Sequence, residues 1–142
     1  MALLKRIYIY WAVLLFAAVI VQVGAAAYGA FNAAEKIDDR GVIGESAFDD
    51  GFDVHGGFGY AIFLGAVLLF LMALVARAGR RQVLWALSVP LLVAIQIALA
   101  WGGKDEATVG IFHGVVALLI FALTGFVAHR AWREHVDDGD RH

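Results

Sequence analysis

Cysteine is missing from the 142-residue chain, and proline occurs once, as Pro90. Without cysteine there can be no disulfide, no iron–sulfur cluster, no thiolate metal site and no redox-active thiol, so any metal must be held by histidine, carboxylate or methionine. Charge is also scarce, with Asp, Glu, Lys and Arg making up 17% of the residues. The sequence has no phosphate-binding glycine loop, no nucleophile elbow and no basic patch suited to nucleic acid. Its acidic run FDDGFD at 48–53 lacks the spacing of a calcium loop and the closing glutamate, and reads as a solvated charged loop. What fills the chain is apolar: 62% is hydrophobic, too much for a soluble domain of this size and typical of a bilayer protein.

Four apolar runs, at about 7–30, 55–76, 83–101 and 110–130, each reach the roughly 20 helical residues needed to cross about 30 Å of hydrocarbon. The predicted fold is all-α: a transmembrane four-helix antiparallel bundle over residues 1–133, then a short, frayed polar tail at 134–142. The first run resembles a secretory signal, but with Met1 at its head it is expected to remain as a helix. Lys5, Arg6, Arg77, Arg80, Arg81, Arg130, Arg133 and Arg141 fall on one side of the membrane, and Lys36, Arg40 and Lys104 on the other. That bias predicts cytoplasmic termini in a multi-pass protein of the bacterial cytoplasmic membrane. Outer loops at 31–54 and 102–109 then carry Glu35, Asp38, Asp39, Glu45, Asp49, Asp50, Asp53, Asp105 and Glu106, making the outer face acidic. Tyr8, Tyr10, Trp11 and Trp85 towards the inner side, with Tyr28 and Trp101 towards the outer, read as interface anchors. Pro90 is expected to kink the third helix.

The chain repeats itself. His55-Gly56 followed by Ile62-Phe63 matches His113-Gly114 followed by Ile120-Phe121 without a gap, and QVGAAAYG at 22–29 pairs with QIALAWGG at 96–103. Helices 2 and 4 run in the same direction and can lie diagonally across a bundle, which would bring His55 and His113 to one depth near the outer surface. One turn deeper on the same face each helix carries a small residue, Gly59 or Ala117. Beyond them Ile62, Phe63, Ile120 and Phe121 would close the floor. Two imidazoles, a slot cleared by small side chains and an apolar floor suit heme, its iron held between the histidines. Gln22 and Gln96, a turn or two below the outer surface, can hydrogen-bond a heme edge, an imidazole or a carbonyl. They can equally serve as interhelical glue worth about 0.6–2 kcal/mol each. Plainer explanations exist for the rest as well: a histidine at a helix mouth is commonly an interfacial polar residue, and glycine-rich faces commonly pack helices. The shared side, register and small neighbour are what favour a ligand site.

A glutamine with small neighbours late in one helix, then a loop and a histidine opening the next helix, the whole repeated once, resembles one four-helix half of the heme A synthase family. Small four-helix membrane proteins of bacteria have the same appearance. The resemblance covers about residues 7–131 and implies by position that His55 and His113 are the axial pair of one heme. The synthase has two such halves and this chain has one. The family carries a carboxylate three residues before its first ligand histidine, where this chain has Phe52, and many members have a cysteine pair in the first outer loop. The family's oxidative chemistry is therefore not expected here.

The expected function is a membrane b-type heme protein, with one heme b per chain, that transfers electrons or senses or carries heme. His129 lies 16 residues beyond His113, about 24 Å deeper by helix rise, and has no histidine counterpart on helix 2, so no second heme is expected. Heme propionates would meet Lys36, Arg40 and Lys104, the only basic residues on that side, while the acidic rim would attract a cationic redox partner. Two firmly held histidines leave no coordination position open. Pairing into a homodimer would rebuild the two-halved arrangement. Two alternatives stay open. One is a cofactor-free membrane scaffold or accessory subunit; the other is a zinc or copper site in which Asp50 or Asp53 joins the histidines.

Overall fold

The computed structural model describes residues 2–42 and 44–139, apart from the side chains at 2, 40, 45–47, 105 and 134–139. They form four helices: α1 (Ala2–Arg40), α2 (Glu45–Val75), α3 (Arg80–Asp105) and α4 (Ala107–Gly139). Each contains a stretch long and apolar enough to cross a membrane, which makes the chain a multi-pass membrane protein by length and composition. Leu64, Leu91 and Leu118 are among many large apolar side chains that face outward, as a lipid-facing surface requires.

Every helix extends past the apolar run that announced it. The stretch 31–54, expected to be a loop, is mostly helical, with only 41–44 between α1 and α2, and the expected loop 102–109 shrinks to Glu106. Hydropathy marks where hydrocarbon ends, whereas a helix ends only where its hydrogen-bond ladder is broken. For α1 that break is Gly41, whose φ of +77° is the left-handed conformation glycine adopts without strain. Its N–H donates to the Ile37 carbonyl at 2.7 Å, closing the last turn. The acidic run 48–53 is therefore helical, and α4 continues to Gly139 where a frayed tail was expected from 134. α3 runs through Pro90 as one continuous helix.

α1 packs against α2 and α4, and so does α3, whereas the backbones of α2 and α4, like those of α1 and α3, stand diagonally and do not adjoin. Along α1 the partners on α2 descend in number: Trp11 meets Gly65, Gln22 meets His55, and Gly29 meets Phe52. Along α3, Gln82 meets Arg130 and Gln96 meets His113. Residues 41–44 and Glu106 thus share one end of the bundle, called the acidic end below.

The buried core reproduces the sequence repeat. With Gln22 and Gln96 setting an offset of 74 between α1 and α3, the buried Ala12, Leu15 and Val19 correspond to the buried Ala86, Val89 and Val93. With His55 and His113 setting 58 between α2 and α4, Ile62, Leu69 and Ala73 correspond to Ile120, Val127 and Ala131, all buried. The two halves therefore point equivalent positions at one axis. At the end away from the acidic one, the equivalent positions Tyr8 and Gln82 meet: Gln82 Nε2 donates to Tyr8 Oη at 2.9 Å, and Arg130 Nε donates to Gln82 Oε1 at 3.0 Å.

Two residues read as interface anchors belong instead to this interior. Tyr8 is buried, and Trp11 is half-buried and donates its indole N–H to the Gly65 carbonyl at 2.9 Å. An amphipathic ring serves either place, and only the partner decides. Tyr10, Tyr28 and Trp101 are exposed, as anchors would be, and the half-buried Trp85 packs on Phe126. Gln82→Leu removes two interhelical bonds worth about 0.6–1 kcal/mol each. Its thermal midpoint in detergent is expected to fall by several degrees; an unchanged midpoint would show that the cluster contributes nothing to stability.

Candidate functional site

The fully buried apolar core stops at a layer made by Val19, Ile62, Val93 and Ile120, one residue from each helix. Towards the acidic end beyond that layer, Ala33 is the one further buried apolar side chain among the described residues. Three residues past Val19 and Val93 come Gln22 and Gln96; seven residues before Ile62 and Ile120 come His55 and His113. All four are half-buried and lie between helices. Neither histidine is at a helix start: α2 begins ten residues before His55 and α4 six before His113, about 15 Å and 9 Å of helix.

The two imidazoles do meet. Their ring centres are 6.3 Å apart with planes at 67°. His55 Nδ1 lies 3.2 Å from the backbone carbonyl oxygen of Gln22, and His113 Nδ1 lies 3.1 Å from that of Gln96. A carbonyl oxygen only accepts, so Nδ1 carries a hydrogen in both rings, and in the neutral imidazole Nε2 is then the nitrogen with the lone pair. This is the arrangement in which a protein holds an imidazole for a metal, with the far nitrogen tied to a backbone acceptor. One metal between two imidazole nitrogens at about 2.0–2.1 Å each, with about 1.1 Å from nitrogen to ring centre, sets the centres about 6.3 Å apart. The observed ring-centre separation is of that size, so the pair meets the distance requirement of one metal shared by two histidines.

The surroundings match the expectations in part. Ile62 and Ile120 form a buried floor, and Phe63 packs against the same core. Phe121 is turned outward, 41% exposed and against Phe16 at 5.3 Å between ring centres, so it lies outside that floor. Over Gly59 the space is taken by Gln22: a Cβ there would stand 3.1 Å from Gln22 Nε2. That amide donates to the His55 carbonyl at 2.7 Å, so Gly59 makes room for a glutamine; the half-buried Ala117 is its equivalent on α4. The buried Oε1 atoms of Gln22 and Gln96 have no hydrogen-bond partner within the protein.

Of the three cations on this side, Lys104 pairs with Asp49 at 3.5 Å on the exposed surface, Lys36 is half-buried and partnered, and the Arg40 side chain lies outside the described residues. Among the described residues no three histidines or carboxylates gather at one point. Asp50 and Asp53, the carboxylates expected beside a zinc or copper ion, are both exposed. His129 is exposed, apart from the pair.

Phe52, in sequence a departure from the family pattern, adjoins the site. Its ring stands edge-on to His55 at 6.3 Å and 86°, against Phe48 at 4.8 Å. It rests on Gly29, where an added Cβ would come within 2.7 Å of Phe52 Cδ1. The sequence signal was the spacing of three residues to His55, one helical turn; the assumption of a loop at 31–54 hid it.

A family model described as a family of unknown function (DUF6220) matches residues 42–103, which hold α2 and most of α3. That stretch includes His55 and Gln96 but not Gln22 or His113. No curated protein and no solved structure matches the chain.

Gly29→Ala must displace Phe52 or the α1–α2 contact, and overpacking of this kind costs about 1–3 kcal/mol. A clear drop in thermal midpoint is expected, against little change for Gly24→Ala, where a Cβ would meet nothing within 4 Å. Equal effects of the two substitutions would mean that Phe52 is not held against α1.

Proposed function

We propose that this chain is an antiparallel four-helix bundle of the bacterial cytoplasmic membrane, both termini cytoplasmic, that holds one heme b between His55 and His113 for electron transfer. The observation that carries the reading is the imidazole pair, tied through Nδ1 to equivalent carbonyls with ring centres 6.3 Å apart. Heme would supply a one-electron redox centre. The chain's own residues do the rest. The Gln22 and Gln96 carbonyls fix both rings, orient them and raise the electron density at Nε2. Ile62 and Ile120 bar the site from below.

The acidic end would face outward, because Lys5, Arg6, Arg77, Arg80, Arg81, Arg130 and Arg133 lie at the opposite end. A cationic redox partner docking there fits the carboxylates of 35–53. The arrangement suits one half of a heme A synthase without its oxidative chemistry, and a homodimer would restore the second half. A cofactor-free scaffold is the second reading. What favours it is the close packing through glycine: Gly29 on Phe52, Gly59 on Gln22, Gly65 on Leu15 and Gly125 on Phe16.

Spectroscopy separates the two. Purified chain supplied with heme is expected to show a sharp Soret band with split α and β bands on reduction, and His55→Ala and His113→Ala should each diminish heme retention. Normal heme binding by both variants would place the ligands elsewhere, and no uptake by the intact chain would leave the scaffold. Because the chain has no cysteine, orientation can be read from single introduced thiols. Val42→Cys is expected to react with a membrane-impermeant reagent in intact cells and Arg133→Cys only after lysis; the reverse pattern would invert the topology.

A further inference from the structure

We propose that the two histidines are unequal, and that His113 is the ligand that gives way to a small uncharged diatomic molecule of the carbon monoxide, nitric oxide or dioxygen class. The inference rests on the reading of the pair as heme ligands and goes beyond a closed, electron-transfer-only centre. Because the two halves share positions, each brace at one histidine can be compared with its equivalent at the other.

His55 is braced three ways. Its Nδ1 is tied to the Gln22 carbonyl, its own carbonyl accepts from Gln22 Nε2 at 2.7 Å, and Phe52 stands against its ring while resting on Gly29. His113 keeps only the first of these, the bond to the Gln96 carbonyl at 3.1 Å. The amide of Gln96, equivalent to Gln22, makes no hydrogen bond to the His113 backbone, and its buried Oε1 has no partner. The position equivalent to Phe52 is Gly110. Gly110 packs backbone to backbone on α3, where a Cβ on Gly103 would stand 3.3 Å from Gly110 Cα, so α4 is held there but offers no side chain to the His113 ring.

An imidazole held by one hydrogen bond, without the glutamine amide and the phenylalanine that hold its counterpart, moves at lower cost than one fixed at ring, backbone and neighbour. Exchange breaks the bond from iron to His113 Nε2 and forms one bond from iron to the incoming molecule. No electron is transferred, and no proton is needed because His113 Nδ1 retains its hydrogen. Gln96 then has a role for its unoccupied amide: its backbone already adjoins His113, and its Nε2 is a donor that a bound diatomic molecule accepts from.

The test uses the full chain, loaded with heme in nanodiscs, reduced with dithionite and mixed with carbon monoxide. Uptake by the intact chain is expected, with a shifted Soret band, and several-fold faster uptake by His113→Ala, whose heme is held by His55 alone. The carbon–oxygen stretching frequency is expected to shift in Gln96→Leu and to stay in place in Gln22→Leu. Heme loading without carbon monoxide uptake at saturation would overturn this proposal and leave the heme reading standing. A stretching frequency that follows Gln22 and not Gln96 would overturn it too, by placing the exchange at His55. Failure of the intact chain to take up heme would overturn both.

Discussion

The structure turns on one contact made twice, an imidazole N–H given to the backbone carbonyl of a glutamine on the preceding helix. Inside a bilayer a polar ring has few alternatives to such a bond, because unpaired polar groups there cost several kcal/mol. Once Nδ1 is committed, Nε2 is the only nitrogen left to act, and the diagonal placement of α2 and α4 brings the two rings together. The buried pairs below them, from Val19 and Val93 to Ala73 and Ala131, hold that geometry as a rigid stem.

The pseudo-twofold arrangement explains why so short a chain can build a convergent site. Each half alone brings a single histidine and a single glutamine to this level, and neither half could close around anything. Facing each other, they generate a paired donor set with a common floor at Ile62 and Ile120. The symmetry fails at two places beside the pair: Phe52 against Gly110, and an engaged Gln22 against a Gln96 amide without a bond.

Much of this could be read from sequence. The four spans, the repeat and the matched depth of His55 and His113 follow from hydropathy and from identical offsets in the two halves. The helix ends could not be read, because polar helical extensions such as 31–40 and 45–54 carry no apolar pattern, and Gly41 announces a stop only when its φ is known. Nor could the use of Gly59 be read, since a missing side chain looks the same whether it admits a macrocycle or the Gln22 amide that lies there. Tyr8 and Trp11 misled for a similar reason. Their rings suit an interface, and their partners Gln82 and Gly65 are distant in sequence.

The central claim, that both imidazoles reach one iron, is tested most directly by pulsed electron paramagnetic resonance of the ferric, heme-loaded chain carrying nitrogen-15 histidine. The account predicts low-spin iron coupled to two histidine nitrogens, one of which is lost in His55→Ala and the other in His113→Ala. High-spin iron, or coupling to a single histidine in the intact chain, would contradict it.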